Sequence, residues 1–538
     1  MRRGLISFLV VVVACGASDA SAGSVTQLPL TSWGGMAVDG THGHVFITGG
    51  AGTSSIVVLD FNGAIVKTIT GQGGATGMVV DESSGTLYVA LRDNTSISKI
   101  DTATLTEASR MSVAPIALPT QLALAGGKLW FGHGCAGSGA GIASINLDGS
   151  GVAAKSMGAH YCPVLAATPT TNLVATGDTG LSPTTLYLYD ISTDPPTLVK
   201  SSWNPGGASD LNELVFSPDE SRLLSASNNP DAIQSFSASD LSLAATYPTG
   251  GSNSVAITDD GAFVAGGARY AWYDPDIFVY PVGDTTPVRI WDFNSTTKVT
   301  VERGLAFSPD ASRLFAVSTN DTTGRLEFRV LTNPTLPLVA TTTSLSVSAT
   351  TVTYGNSVAL RAHVTGATGG AMSFYKTRYG GVRTLIKTVP VNGSGNASIS
   401  QWPGAKTTYT AEFLGNDSYD SSTSSGRTVS VRARTTVGLR RFYARQGIYK
   451  LFHLGTRPLV RGTVAPNHAG SALKFVAQRY YAGAWRGTVT GMFPILSNGS
   501  AYAELLRTTR GSYRVRAIFG GDADHLGSRS GWAYLKVT

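Results

Sequence analysis

The 538-residue sequence predicts an all-β protein: a ring of seven four-stranded sheets followed by two smaller β-sandwiches. Three observations predict it. Sixteen residues, LVFSPDESRLLSASNN at 214–229, return almost unchanged as LAFSPDASRLFAVSTN at 305–320. Charged residues are only 14% while glycines number 63, which suits tight turns and Ser/Thr-rich strands better than helices. After Val339 the pattern becomes Thr/Ser-rich alternation, and AEFLGNDSYDSS (411–422) is answered 106 residues later by AIFGGDADHLGS (517–528).

The chain opens on Met1-Arg2-Arg3, an apolar run from Leu5 to Ala14, and Ala20-Ser21-Ala22. A basic start, a run too short for a permanent span and small residues at a cleavage point define a secretory signal peptide over 1–22. Val12-Val13-Ala14-Cys15 also fits the lipobox of bacterial lipoproteins, so a lipid on Cys15 is the alternative to free secretion. No later segment is apolar for long enough to cross a membrane. The exported body keeps two cysteines, Cys135 and Cys162, and an even pair outside the cytoplasm is expected as a disulfide.

From there to residue 340 the chain repeats. In FSPD, Leu-x-Phe is an alternating strand; proline presets φ at the turn, and Ser and Asp can bond nearby backbone N–H groups. Arg-Leu-Leu or Arg-Leu-Phe starts the return strand. Related hairpins begin at Met36, Met78, Leu122, Leu165, Leu214, Val255 and Leu305, spaced by 42, 44, 43, 49, 41 and 50 residues. Each continues into two more strand-like runs, as in SISKID (96–101) and EASRMSV (107–113). Four strands per roughly forty residues is the period of a β-propeller blade. SVTQLPLTSWGGMAVD (24–39) has the layout of AIVKTITGQGGATGMVVD (64–81), an outer strand followed by the next inner strand. The first strand therefore has no blade before it and is expected to complete the seventh, closing the ring over 23–340 and covering two open edges.

LYVALRDNTSISKIDTATLTEASRMSV (87–113) resembles the repeat of YVTN-type seven-bladed propellers, the group of YncE and lactonase-like proteins. That resemblance implies a fold rather than an activity. In residues 341–433 and 434–538, about seven short strands separated by Gly/Asn/Asp turns have the size of an Ig-type sandwich. The Gly-Asn-Asp-Ser-Tyr stretch at 415–419 resembles bacterial Ig-like repeat domains, and the second segment departs further from that pattern.

Charge divides along the same boundaries. Residues 24–340 hold 15 Lys/Arg and 27 Asp/Glu, a net of −12; residues 341–433 hold 8 and 3; residues 434–538 hold 16 and 3, a net of +13. In the last segment RRFYARQGIYK (440–450) and QRYYAGAWRG (478–487) interleave arginines with aromatics, marking Arg440, Arg441, Arg445, Arg479, Tyr480, Trp485 and Arg486 as a polyanion-binding set. Wall polymers and acidic polysaccharides are the expected partners, without specific nucleic-acid recognition. Docking onto the acidic propeller is the bland alternative.

No metalloprotease helix motif, P-loop or nucleophile elbow is present, and no cofactor is expected. His133-Gly-Cys135 and His160-Tyr-Cys162 admit a Cys₂His₂ metal site, but oxidation outside the cell favours the disulfide. The resemblance places ligands on the face carrying the inter-blade loops. Candidates there are Trp33, Tyr161, Asp210, Glu213, Tyr270, Trp272, Tyr273, Asp274, Glu302 and Arg303. Aromatic planes flanked by acids suit a sugar or a peptide by stacking and hydrogen bonding. The sequence thus predicts an exported, non-catalytic surface or extracellular protein that binds a polysaccharide or protein ligand. The alternative is an extracellular hydrolase or lactonase using Glu213, Glu302 and Arg303 at the propeller mouth.

Overall fold

The computed structural model describes residues 24–135, 139–159, 161–270, 275–293, 295–320, 322–506 and 508–538. Residues 1–22, expected as a signal peptide, and with them Cys15, lie outside the described residues. Among those described, helix is confined to single 3₁₀ turns, and no helix is long and apolar enough to cross a membrane. The chain divides into two compact units, residues 1–338 with 416–418 and residues 339–415 with 419–538.

The first unit is built from seven four-stranded antiparallel sheets. Their innermost strands are Gly35–Asp39, Ala75–Asp81, Pro119–Ala125, Pro163–Ala167, Ser209–Phe216, Ser252–Ile257 and Lys298–Phe307. Each contacts the innermost strand before and after it, and the last contacts the first. Six sheets use four consecutive strands. The seventh runs Lys298–Phe307, Arg313–Asn320, Leu326–Thr332 and then Val25–Gln27, the first strand of the described chain, with Val25 opposite Arg329. This is β-propeller architecture.

The packing explains why runs such as VFIT and TLYVAL are continuously apolar rather than alternating. Successive residues of a strand point to opposite faces, and here both faces are covered by a neighbouring sheet. Phe46 packs with Leu87 and Val89 of the second sheet, whereas Val45 and Ile47 pack with Phe315 and Phe328 of the seventh. An apolar cluster of this kind joins every pair of successive sheets, and the one between seventh and first also takes in Leu28 and Leu30. The FSPD turns act as their residues suggest: Ser308 Oγ accepts from Arg313 N at 3.0 Å and Asp310 Oδ1 from Ser312 N at 3.1 Å, and Ser217 and Asp219 repeat both bonds.

The second unit holds two sandwiches. Nine strands lie between Thr342 and Arg432 and ten between Arg434 and Val537, more than the seven per segment that the turn spacing suggested, because short runs such as Thr351–Thr353 and Ala444–Gln446 add edge strands. In each, a three-stranded sheet faces a larger one across its own core, around Phe374 and Phe413 in the first and Phe475 and Phe519 in the second. The larger sheets join through the parallel pairing of Arg432 with Leu526.

Candidate functional site

The inner strands of a propeller begin on the face that also carries the second-to-third-strand connections. Five of the seven break register at that end, between Ala75 and Met78, Pro119 and Leu122, Leu211 and Glu213, Ser252 and Ser254, and Thr300 and Leu305. A bulge frees residues from the ladder and re-aims their side chains. The seventh sheet does this most, since Glu302 and Arg303 fall within its break and Arg303 has φ +55°, a left-handed conformation that a non-glycine residue rarely takes. The sequence reading put Glu213, Glu302 and Arg303 on loops; they sit inside inner strands, Glu302 and Arg303 within the seventh sheet's break and Glu213 paired with Ala226 at the edge of the fifth's.

The result is a pocket of about 400 Å³ at the channel mouth, lined among others by Trp33, Arg92, Gln121, Glu302, Arg303 and the Cys135–Cys162 pair. Trp33 Nε1 donates to the Glu302 carbonyl at 2.6 Å, which fixes the indole on the rim. Arg303 lies across the opening. Its Nη1 donates to Asn212 O at 3.3 Å and its Nη2 to Gly34 O at 3.4 Å, and the Glu302 carboxylate is 3.6 Å away. With its amide oxygen turned inward, Gln121 accepts from Arg303 Nε at 3.3 Å and Nη1 at 3.1 Å. Beneath, a smaller cavity of about 160 Å³ is bounded by Gln121, Glu213 and Arg303. Glu213 accepts from Val255 N at 2.8 Å, and burial pushes its carboxyl up to about 8 despite the nearby Arg303 charge. At neutral pH it is mostly the neutral acid.

Cys135, on the second-to-third-strand connection of the third sheet, is disulfide-bonded to Cys162, which leads into the fourth. The bond pins the pocket wall and leaves neither sulfur for a metal. His133 Nδ1 lies 3.1 Å from Gly139 O, while His160 lies outside the described residues. Tyr161, next to Cys162, is 40% exposed, and its N–H donates to Asp178 at 2.6 Å. Asp210, with φ +56°, accepts from Asn228 at 2.8 Å and stands 4.0 Å from Arg269. The Arg269 guanidinium lies 5.8 Å from the Tyr270 ring centroid. Asp210 and Tyr270 do not line the 400 Å³ pocket. Trp272, Tyr273 and Asp274 lie outside the described residues.

Sequence reasoning missed Gln121 and Arg92. Gln121 carried a usable signal: like Glu213, it immediately precedes the first apolar residue of a repeat hairpin, the position that faces the channel. Arg92, in a connection of variable length, carried none.

In the second sandwich, Arg479 and Tyr480 stand opposite Arg486 and Trp485 in one hairpin, so four predicted residues do come together. Arg440 ends a strand of the opposing three-stranded sheet, and Arg441, just beyond it, is ion-paired with Glu504. Arg445 rests over Phe442, 5.3 Å from its centroid. The hairpin continues into residues the sequence did not single out. The Arg514 guanidinium lies between two indoles, 4.8 Å from Trp485 and 4.2 Å from Trp532, and Arg516 lies 4.5 Å from Trp532. Two hydrogen bonds to Gln478 Oε1, at 2.8 and 2.6 Å, hold Arg514 there. One face of Trp485 is thus already occupied by a guanidinium.

No known family's sequence pattern matches the chain, and no curated protein does. Among solved structures it is similar to the β-propeller domain of Cps50 (Swd1) from Myceliophteria thermophila, at 11% identity over 57% of this chain and 98% of that one, with a TM-score of 0.45. It is also similar to Kuenenia stuttgartiensis hydrazine synthase, at 13% identity over 56% and 96%, with a TM-score of 0.44. At such values the fold rests on the strand pairing above, and nothing about activity follows.

Proposed function

We propose that this is an exported, non-catalytic binding protein of the cell surface or extracellular space, either free or anchored through a lipid on Cys15. In this reading the seven sheets are the blades of a YVTN-type propeller and the two sandwiches are Ig-like repeats. The propeller mouth takes a polar polymer, a glycan chain or a peptide, and the arginine-rich hairpin of the second sandwich contacts anionic wall polymer. The observation that carries the proposal is the mouth pocket, where Trp33 offers an aromatic edge and Gln121, Glu302 and Arg303 offer fixed donors and acceptors. This combination can orient a polar ligand by ring contact and hydrogen bonding. The test is binding of the full chain to glycan and peptide arrays. Arg303→Gln and Trp33→Ala should lose the ligands that wild type retains while keeping the β-sheet circular dichroism of wild type. Arrays without a reproducible binder, or binders indifferent to both substitutions, overturn it.

One observation favours a hydrolase or lactonase as second reading. Glu213 is a neutral acid at physiological pH beside the Arg303 guanidinium, a pair that could protonate and polarise a carbonyl. Turnover of a lactone or glycan by the full chain, lost in Glu213→Gln, would replace the first reading with this one.

A further inference from the structure

The second sandwich gathers two histidines and two aspartates at one end. His468 comes from the connection between strands Leu459–Ala465 and Ala472–Tyr481. Asp522, Asp524 and His525 come from the turn between Gly511–Gly521 and Leu526–Arg529. One donor atom from each lies within 4.8 Å of all the others. The histidine side chains are only 6% and 3% exposed, the aspartates 34% each.

The protonation of the rings follows from their partners. His468 Nδ1 is 2.6 Å from Pro466 O, and His525 Nε2 is 2.7 Å from Gly404 O. A carbonyl only accepts, so each of these nitrogens carries the proton. In a neutral imidazole the other nitrogen is then bare. In both rings the bare nitrogen is the one that meets the carboxylates: His468 Nε2 is 3.1 Å from Asp522 Oδ2, and His525 Nδ1 is 2.8 Å from Asp524 Oδ1 and 3.7 Å from Asp522 Oδ1. His468 Nε2 is buried and makes no hydrogen bond.

Lone pairs facing carboxylate oxygens repel unless something positive lies between them. A divalent cation would serve, because both rings already have the support a metal-bound histidine needs, the far N–H donated to a backbone carbonyl. Two imidazoles with two carboxylates select a zinc-class ion over calcium or magnesium, which prefer all-oxygen sites. Tetrahedral bonds of about 2.1 Å place ligand atoms roughly 3.4 Å apart. The separations of 2.8, 3.1 and 3.7 Å, within a cluster no wider than 4.8 Å, scatter around that value, so small side-chain shifts would bring the four donors onto one ion. We propose that His468, Asp522, Asp524 and His525 form a structural site for a divalent transition metal of the zinc class.

The site is particular to this sandwich. At the matching positions 106 residues earlier the chain has Asn416, Ser418 and Tyr419. It also ties the two sandwiches together. His525 donates to Gly404 of the first, and the Asp524 carbonyl accepts from Lys406 N at 2.8 Å. A bound ion would therefore brace this junction.

The test uses the untagged full chain, stripped with chelator and titrated with Zn²⁺ and Co²⁺. Expected are one tight equivalent per chain, four-coordinate Co²⁺ absorption bands, and a melting temperature for the second unit that rises with Zn²⁺. His468→Ala and Asp524→Asn should each lose that equivalent and that rise while keeping the β-sheet circular dichroism of wild type. Absence of a stoichiometric site, its persistence in both variants, or NMR of the metal-free chain showing both rings doubly protonated and indifferent to Zn²⁺, overturns the proposal.

Discussion

Closure of the ring by the first strand can be tested at Leu28. This side chain is 3% exposed and packs in the cluster shared by the seventh and first sheets, with Val45, Val57, Phe315 and Phe328. Its N–H donates to Leu326 O at 3.0 Å, and Val330 N donates to Ser24 O at 3.0 Å. Leu28→Ala removes buried methyl groups from a site that strands on both sides prevent from collapsing, at a cost of about 2–5 kcal/mol. Unfolding entropy of about 2.1 cal/mol/K per residue over residues 24–338 gives roughly 0.66 kcal/mol/K. A loss of about 3 kcal/mol then lowers the melting temperature of the first unit by about 4.5 °C. Leu198→Ala is the control: Leu198 is 49% exposed on an outermost strand, and surface substitutions stay within about 0.5 kcal/mol. Calorimetry reads the shift, and hydrogen exchange localises it. Peptides 24–30 and 326–332 should both lose protection in Leu28→Ala, while 96–101 in the second sheet should not. If Leu28→Ala melts like Leu198→Ala, or if exchange at 24–30 is already fast in wild type, the strand does not close the ring.

Three further outcomes follow from the same geometry. The Cys135–Cys162 bond closes a separation of 27 residues, and the loop-entropy relation gives it about 3.5 kcal/mol; the double serine variant should melt about 5 °C lower in the first unit, and an unchanged midpoint would refute the assignment. Folded Glu213 keeps its proton up to about 8, whereas the unfolded chain releases it near 4.5, so wild-type stability should decline relative to Glu213→Gln as pH rises between these values and level off above; a pH-independent difference would show the channel to be wetter than the burial implies. Hydrogen bonds from Ser308 and Ser312 hold the Asp310 carboxyl down at about 2, so Asp310→Ala should destabilise at neutral pH, with the gap shrinking as pH falls from about 4 towards 2; a constant gap in acid titrations of both proteins would contradict it.

The sequence by itself determined the elements and their order. Two hairpins write Ser-Pro-Asp at their turns and the other five use different Gly-, Asp- or Thr-rich turns, while a strand covered on both faces writes an unbroken apolar run. Seven starts at a near-constant spacing therefore carry the sheets. An unpaired first strand carries the closure, because an open edge at one end of the chain matches an open edge at the other. An even pair of cysteines, expected to oxidise if the chain is exported, carried the disulfide once the topology put Cys135 and Cys162 on one face. The tertiary structure alone decided the sites. Arg303 reaches the pocket through a left-handed bulge that no local pattern encodes, and it is held by Gln121, Asn212 and Gly34 from three other sheets. His468 meets Asp522 and His525 across more than fifty residues, and which ring nitrogen is bare depends on carbonyls at Pro466 and Gly404. Strand identity is a near-neighbour property, written in periodicity and turn residues. A binding site depends on which distant side chains arrive at one point with which protons, and only the packed chain sets that.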